Sequence, residues 1–368
     1  MKYRMANNLF ILLSLSIFLI SGCQSQRKTK TSTSPDLPAY TYYMNSSKYV
    51  EVQDYQRGLA ALDTAISLKP EVSTFYFAKG QIYEIMGENE AAIAEYENSL
   101  LYKSYFPDCW LKLAVLYMDY NQPEKATQML KNLTEYLPDS LSFELMLADA
   151  YVADKKAMLA LERVKYFENQ GGKSPETTRI KGMAFFLQND YQKTIEYLDR
   201  YVTHNSDNFR AQKILGIACL KSGRGERGIS HLNKALALQS DDPEIFLYRA
   251  LYFSQMQKSD AALEQYKLAI KLDPSNSKTL LESAKFMLSI RDTIYARELL
   301  TEAIKYDVSC WECYKYLGII LARSNERQKA KAYLTEYISN IYFKDEEAEK
   351  LLFKLNEMDN ASSGNYPQ

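Results

Sequence analysis

The stretch "PDCWLKLAVLYMDYNQPEKATQMLKNLTEYLPDS", residues 107–140, decides the fold because its pattern recurs along the chain. Its first half places Ala114 among apolar residues three or four apart, and its second half does the same around Ala126. Such spacing is typical of amphipathic helices, and the short "YNQP" between the halves predicts a turn. The stretch is therefore expected to form two antiparallel helices.

A period of 34 residues extends this stretch in both directions. Counted from Ala39, nine consecutive repeats reach Lys344 without insertion or deletion. The eighth place of every repeat is small: Ser46, Gly80, Ala114, Ala148, Gly182, Gly216, Ala250, Ala284 and Gly318. The twentieth place is small or nearly so: Gly58, Ala92, Ala126, Ala160, Thr194, Gly228, Ala262, Ala296 and Ala330. Helices approach closely only where small residues cross, so this period predicts a stack of helix pairs.

The repeats resemble tetratricopeptide repeats (TPRs). In the third repeat the resemblance rests on Trp110, Leu113, Ala114, Tyr117, Ala126, Leu130 and Pro138. It implies an all-α, right-handed superhelical solenoid of about nine helix-turn-helix units. Their expected bounds are 39–72, 73–106, 107–140, 141–174, 175–208, 209–242, 243–276, 277–310 and 311–344. The fourth repeat departs from the pattern at Glu144 and the ninth at Tyr337, so these two are expected to pack differently.

Composition favours such an array. In 368 residues there are only 13 Gly and 10 Pro, which fits long helices with short connections better than many strands. Lys plus Arg number 45 against 46 for Asp plus Glu, giving a formal charge of -1 with neither half strongly basic. Nucleic acid is therefore not expected as a partner.

The first 23 residues, "MKYRMANNLFILLSLSIFLISGC", read as a secretory signal. Lys2 and Arg4 precede a twelve-residue apolar run, Leu9 to Ile20, which is short for a membrane span. The ending "LISGC" resembles a bacterial lipobox, which implies cleavage after residue 22 and lipid (palmitate) on Cys23. The alternatives are an ordinary signal peptide with an incidental cysteine, and an uncleaved anchor.

Residues 23–38 are expected to form the lipidated start and a flexible polar tether. No acidic residue follows Cys23 before Asp36. For a Gram-negative source, this favours a lipoprotein of the outer membrane that faces the periplasm. The expected location is thus the cell envelope, with the protein held at the membrane through lipid.

The segment "KSGRGERGIS", residues 221–230, holds Gly223, Gly225 and Gly228 in the spacing G-x-G-x-x-G. A dinucleotide loop needs a strand before it and a helix after it. Here a helix precedes, Gly223 falls in the turn inside the sixth repeat, and Gly228 takes the small twentieth place. Nucleotide is therefore not expected as a ligand.

Cys310 and Cys313 stand in C-x-x-C spacing at the start of the ninth repeat. Three interpretations stay open: buried structural thiols, a local disulfide in an oxidising compartment, or a redox pair activated at a helix start. Zinc is disfavoured because His204 and His231 are the only histidines and neither is near in sequence. With no hydrolase or metalloprotease motif, the chain is expected to be neither an enzyme nor a holder of cofactor or metal.

The TPR resemblance implies that partner segments bind along the concave face of the first helices. The apolar residues predicted for that face are Phe77, Leu111, Val115, Met118, Leu145, Val152, Met183, Phe186, Ile217, Leu220, Leu247, Leu251, Leu281, Leu288 and Ile319. The basic residues are Arg179, Arg210, Lys213, Lys278, Lys285, Lys315 and Arg323. The asparagines of carboxylate-clamp relatives are missing. First helices also pack on each other, so about half of the apolar set is expected in the core.

Residues 345–357 are predicted to form an amphipathic helix that caps the last repeat, and 358–368 a disordered tail. The expected function is a non-enzymatic envelope scaffold or adaptor that binds other envelope proteins or peptides. Similar lipoproteins imply outer-membrane protein assembly, secretion or motility, or regulation of cell-wall hydrolases. The alternatives are a thiol redox protein using Cys310 and Cys313, and a passive spacer.

Overall fold

The computed structural model describes residues 37–363, with side-chain environments for residues 37–358. Every regular element in this range is an α-helix, which confirms the all-α prediction. The chain divides into two compact bodies, one ending at Gln188 and one beginning at Asn189. The signal segment, Cys23 and the last five residues lie outside the described range.

The N-terminal body, described over residues 37–188, contains the first four helix pairs and the first helix of the fifth repeat. Its helices are α1 Leu37–Glu51, α2 Tyr55–Leu68, α3 Ser73–Met86, α4 Asn89–Tyr102, α5 Pro107–Asp119, α6 Pro123–Tyr136, α7 Leu141–Ala153, α8 Ala157–Asn169 and α9 Pro175–Leu187. The two helices of each repeat, α1 with α2 through α7 with α8, pack most extensively on each other. Each 34-residue repeat here is therefore one helix pair.

The C-terminal body, described over residues 189–363, contains the second helix of the fifth repeat, four further pairs and a terminal helix. Its helices are α10 Tyr191–His204, α11 Phe209–Lys221, α12 Gly225–Leu238, α13 Pro243–Gln255, α14 Ser259–Leu272, α15 Ser277–Ser289, α16 Thr293–Tyr306, α17 Trp311–Arg323, α18 Arg327–Asn340 and α19 Glu346–Ser363. Pairing again follows the repeat, from α11 with α12 to α17 with α18.

The small residues of the eighth and twentieth places lie where paired helices touch. A Cβ atom added at Gly216 would stand 2.7 Å from Leu232 and 3.0 Å from the carbonyl oxygen of Gly228. One added at Gly80 would stand 2.7 Å from the ring of Tyr96. These distances are shorter than carbon atoms tolerate, so the bulky residue four places after the twentieth fills the groove that the small residue leaves.

The turn inside each repeat uses one backbone conformation. A residue with positive φ recurs every 34 positions: Gln53, Gly87, Asn121, Lys155, Asn189, Gly223, Gln257, Arg291 and Asn325. The amide of the next residue usually donates back to a carbonyl five positions earlier, as Glu88 does to Tyr83 at 2.9 Å. This closes the first helix in the left-handed turn that is common at helix ends.

Aspartate and asparagine side chains start many of the helices. Asp54, Asp190, Asn208, Asp242, Asn276 and Asp292 each accept a hydrogen bond from the backbone amide three residues later. Such caps satisfy amides that have no partner inside the helix and contribute about 1 kcal/mol each. The starts of α2, α10, α11, α13, α15 and α16 are thus fixed by local chemistry as well as by packing.

The terminal helix α19 covers the end of the stack as predicted, but it is longer. Ala348 and Leu355 are buried in the same apolar cluster as Leu334 of α18. Residues 358–363 continue the helix, although a disordered tail was expected from residue 358. No Gly or Pro occurs between the predicted end and Gly364, so nothing in the sequence stops the helix earlier.

Candidate functional site

We call the fifth, ninth and twelfth places of the first helices the first-helix face, because residues spaced by four and three lie on one side of a helix. In the N-terminal body this face carries apolar side chains that are partly open. Leu111, Met118 and Leu145 are half-buried and pack on the core cluster around Leu147. Phe77 packs in the same way on the neighbouring cluster. Helices α3, α5 and α7 therefore each present accessible apolar surface.

Five residues predicted for this face belong to the core instead. Val152, Met183 and Leu247 are 3% exposed, Leu281 is 8% exposed, and Ile217 is fully enclosed. The reason is that first helices of consecutive repeats touch: α7 with α9, α11 with α13, and α13 with α15. These five side chains are not available to a partner, whereas Phe186 and Leu251 remain half-buried.

The predicted basic residue Arg179 is neutralised. It is 9% exposed, its Nη1 donates to Asp149 at 3.0 Å, and its Nε donates to Glu176. Burial disfavours the charged guanidinium, but attraction by these two carboxylates outweighs it, so the pKa of Arg179 is raised. The arginine joins α9 to α7 and adds little net positive charge to the first-helix face.

Three predicted lysines are paired in the same way. Nζ of Lys213 lies 2.9 Å from Asp242 and 3.1 Å from Glu244. In each case burial lowers the lysine pKa, but two carboxylates raise it by more. The pKa of each of these lysines is therefore raised overall. The other pairs are Lys285 with Glu282 at 3.1 Å and Glu312 at 2.8 Å, and Lys315 with Asp345 at 2.7 Å and Glu347 at 3.7 Å.

These pairs link Lys213 and Lys285 to the following repeat and Lys315 to the segment that leads into α19, and they do not form a positive patch. A partner would therefore meet apolar surface and closed ion pairs at these places rather than free lysines. Arg210 differs, because it forms no hydrogen bond or ion pair within the described range and lies half-buried at the start of α11. The expectation that the basic residues add free positive charge to the face is therefore wrong for Arg179, Lys213, Lys285 and Lys315.

The four cysteines of the described part of the chain divide into a disulfide and two buried thiols. Cys310 and Cys313 form a disulfide at the start of α17, with Cys313 fully enclosed. Burial raises the pKa of the Cys109 thiol to about 12 and also raises that of Cys219. A raised pKa keeps a thiol protonated and unreactive at neutral pH, so neither free thiol has the character of a nucleophile.

The three glycines of the G-x-G-x-x-G segment each have a packing or backbone role. Gly223 has φ 75° in the turn between α11 and α12. Gly225 begins α12 against the ring of Tyr252, and Gly228 takes the crossing place, where an added Cβ would lie 2.8 Å from the carbonyl oxygen of Gly216. The segment follows a helix, as expected, and does not form a phosphate-binding loop.

Within residues 37–358 no group of three or more His, Cys, Asp or Glu side chains is arranged to hold a metal ion. In the same part of the chain, no helix has both the length and the apolar character needed to cross a bilayer. The structure therefore adds no metal centre to the surfaces described above.

An exposed aromatic edge in the N-terminal body was not anticipated. Tyr105 is 67% exposed and its ring lies 5.5 Å from that of Trp110 and 5.8 Å from that of Tyr136. Tyr102 stacks on Tyr76 at 5.2 Å. The sequence signal was available, because Tyr102 and Tyr136 both occupy the thirtieth place of their repeats.

The two departures from the repeat, Glu144 and Tyr337, also have structural explanations. Glu144 is buried on α7, with one carboxylate oxygen 3.6 Å from Arg163, and burial raises its pKa. Tyr337 is buried on α18 and donates to Asp345 at 2.8 Å. The ninth repeat therefore uses its unexpected tyrosine to hold the segment that leads into α19.

A family model described as the FAT domain matches residues 69–355. Among curated proteins, BBSome complex member BBS4 of Bos taurus is 20% identical over 310 residues, covering 84% of this chain and 60% of that protein. A TPR repeat-containing protein of Methanocaldococcus jannaschii is 25% identical over 207 residues, covering 54% and 36%. The Hsp70-Hsp90 organizing protein of Triticum aestivum is 23% identical over 237 residues, covering 62% and 39%.

The chain thus spans less than two thirds of the length of each of these relatives. Among solved structures, a tetratricopeptide repeat protein from Parabacteroides merdae superposes with a TM-score of 0.52 at 13% identity, covering 73% of this chain and 99% of that one. The APC/C hetero-tetramer Cut9-Hcn1 gives 0.57 at 11% identity, covering 86% and 76%. The fold is that of a TPR-like helical repeat protein.

Proposed function

The chain belongs to the FAT domain family, and we propose that it is a non-enzymatic scaffold that binds segments of other proteins along the first-helix face of its repeats. The observation that carries this proposal is the set of half-buried apolar residues on α3, α5 and α7, with Leu111, Met118 and Leu145 at its centre. Apolar side chains left partly open on successive helices mark interaction surfaces.

Two further observations support a binding role. The relatives include a protein named as a complex member and one named for organizing Hsp70 and Hsp90. The described cations on the first-helix face are largely closed in ion pairs, and both free thiols are held protonated by burial. The face is therefore suited to contact with an apolar protein segment rather than to proton transfer or nucleophilic attack.

The test replaces two face residues that are not part of the enclosed core. Leu111→Glu with Leu145→Glu should abolish capture of protein partners crosslinked in membrane extracts, while the helical circular dichroism signal is retained. The matched control is Leu101→Glu, since Leu101 is 79% exposed at the end of α4 and lies off the face. Capture that persists in the double variant would remove the first-helix face from the account.

The second part of the proposal is attachment to a membrane through Cys23. It rests on the sequence alone, on the "LISGC" ending of the apolar run and the polar tether that follows. Dual or triple acylation anchors stably where a single chain does not. Cys23→Ala should move the protein from the membrane fraction to the soluble fraction and remove the lipid mass from its N-terminal peptide. Unchanged fractionation would contradict the anchor.

The placement in an envelope machine, with the outer membrane and periplasm as the site, is a proposal from the lipoprotein resemblance. Outer-membrane protein assembly, secretion or motility, and regulation of cell-wall hydrolases are the roles it covers. A comparison of the proteins crosslinked to the intact chain and to Cys23→Ala selects among them. One machine enriched only by the lipidated form is the expected result.

The alternative of redox function uses the Cys310–Cys313 disulfide. The full enclosure of Cys313 favours a structural role instead. Replacing both cysteines by serine should lower the melting temperature and leave partner capture intact. Loss of function at unchanged melting temperature would favour the redox alternative. Absence of any specific partner would favour a passive spacer.

A further inference from the structure

Arg249 in the middle of α13 is a half-buried cation without a counter-ion. Its Nε is fully buried and has no hydrogen-bond partner, and the side chain forms no ion pair among the described residues. Burial lowers the pKa of Arg249, and the exposed Glu264 opposes this only in part. A desolvated charge without a hydrogen-bonded partner is costly, so such a group calls for a ligand.

The repeats themselves show what is missing. Arg249 occupies the seventh place of its repeat, and the same place carries Lys79 in the second repeat. Nζ of Lys79 lies 2.8 Å from Asp63, in the twenty-fifth place of the preceding repeat, and 2.8 Å from Glu95, in the twenty-third place of its own. Two carboxylates from neighbouring second helices therefore enclose that cation.

In the fifth repeat the cation of the seventh place is also paired with a carboxylate, but the acid comes from a different place. Lys181, again in the seventh place, lies 2.7 Å from Glu168, which is in the twenty-eighth place of the preceding repeat. Around Arg249 the corresponding three places hold Asn233, Leu236 and Gln265. The three places that hold Asp63, Glu95 and Glu168 in the other repeats are therefore all neutral here.

Gln265 is a second side chain of this repeat with a buried polar atom that lacks a partner. It lies on α14, it is 6% exposed, and its side-chain oxygen is buried without a partner among the described residues. Its place is that of Glu95 beside Lys79, yet it forms no hydrogen bond with Arg249. Buried polar atoms are rarely left unsatisfied, and here two of them belong to the seventh and twenty-third places, the pair of places that brings Lys79 and Glu95 together.

We propose that Arg249 and Gln265 form a binding site for a carboxylate that an acidic segment of a partner protein supplies. A guanidinium binds a carboxylate through two parallel hydrogen bonds, and the side-chain NH2 group of Gln265 can donate to the same carboxylate. The incoming carboxylate supplies the negative charge that Asp63 and Glu95 supply beside Lys79. The site lies on α13 and α14 outside the first-helix face, so it recognises charge where that face recognises apolar groups.

The experiment follows the Nε–Hε signal of Arg249 by NMR in full-length, ¹⁵N-arginine-labelled protein. The signal is assigned by its loss in Arg249→Met. At constant ionic strength the protein is titrated with an acetylated triglutamate peptide and, separately, with glutarate. The wild type should bind the peptide saturably with a shift of this signal. Arg249→Met, followed through its thermal midpoint, should bind the peptide at least tenfold more weakly.

Two variants keep the result from reflecting misfolding or net charge. Gln265→Glu places a carboxylate beside Arg249 as Glu95 stands beside Lys79, so it should raise the thermal midpoint and weaken peptide binding at least tenfold. Arg200→Met removes an exposed surface arginine and should bind the peptide as the wild type does. The site would be overturned if the wild type and the three variants, Arg249→Met, Gln265→Glu and Arg200→Met, bound the peptide equally. It would also be overturned if the wild type showed no saturable shift of the Arg249 signal.

The source of the carboxylate is decided in the same titration. Glutarate binding without peptide binding would overturn the assignment to a protein segment. This inference rests on the proposed function only in that the chain binds proteins, and an experiment can refute either one without the other. If the peptide does not shift the Arg249 signal while the first-helix face still captures partners, only the carboxylate site is refuted.

Discussion

At the scale of single residues, the left-handed turn position is shared by all nine repeats but is glycine in only two of them, Gly87 and Gly223. Asparagine takes three of the places, and residues with long side chains take the remaining four, Arg291 among them. A residue other than glycine or asparagine in this region costs about 1 kcal/mol or more, so the four turns with long side chains carry strain that packing of the helix pair offsets.

Arg291→Gly is therefore expected to raise the free energy of unfolding by roughly 0.5–1 kcal/mol, because φ 66° suits glycine. Gly87→Ala should lower it by about 1 kcal/mol, since no atom lies within 4 Å of the added methyl group and only the backbone conformation opposes it. Denaturant titration of both variants measures the effect. The two variants should change the free energy of unfolding in opposite directions, and equal denaturation midpoints would contradict the turn assignment.

Gly216→Ala tests the crossing position. The added methyl group meets Leu232 and the backbone of Gly228, so the free energy of unfolding should fall by about 1–3 kcal/mol. Gly223→Asn is the control, since asparagine occupies the same turn place at Asn121, Asn189 and Asn325, and its midpoint should stay close to the wild type. A Gly216 variant as stable as this control would argue against close helix contact.

At the scale of elements, the junction between α17 and α19 depends on one carboxylate. Asp345 accepts from Lys315 at 2.7 Å and from the hydroxyl of Tyr337 at 2.8 Å, and it caps the backbone amide of Ala348. Burial raises its pKa, but these hydrogen bonds outweigh burial and lower the pKa to about 2. The charged carboxylate therefore holds the terminal helix to the last repeat.

This pKa predicts a defined pH dependence. An unfolded aspartate has a pKa near 3.9, so the stabilisation from Asp345 is complete above about pH 4 and disappears as the pH falls through about 2. Asp345→Asn should be less stable at neutral pH and should lose less stability between pH 4 and 2 than the wild type. Lys315→Met should likewise lose less stability than the wild type between pH 4 and 2. Parallel acid profiles for all three proteins would refute the assignment.

Much of the element scale was predictable from sequence. Small residues at fixed places predict the helix pairs because close approach excludes a side chain, and the structure places Gly80, Gly216 and Gly228 at such contacts. The end of α19 was predicted too early, since a polar composition does not by itself stop a helix. Ion pairs such as Lys213 with Asp242 join residues about thirty positions apart, which a search for local motifs does not detect.

At the scale of the whole molecule, the division into two compact bodies at Gln188 and Asn189 has no sequence signal, because the period of 34 runs through it unbroken. The first-helix face was predicted by place in the repeat, but place does not give exposure. Leu247 and Leu251 stand four residues apart on one helix, yet only Leu251 remains partly open. Contact between consecutive first helices decides which residue a partner can reach.

The sequence alone shows that the seventh place carries a cation in three repeats, Lys79, Lys181 and Arg249. It does not show which acids pair with Lys79 and Lys181, because those pairs are known only from distances in the structure. The resemblance to a repeat family therefore indicates where binding surfaces lie, whereas deviations between repeats indicate what they bind.

The most direct measurement is site-specific photo-crosslinking with a photoreactive residue at Leu111 or Leu145 of the first-helix face, and at Leu101 or Met158 of the second helices. The last two are 79% and 73% exposed, so access does not limit them. The account predicts one shared protein adduct from both face positions and none from the second-helix positions. Equal adducts from both sets, or none from the face, would contradict it.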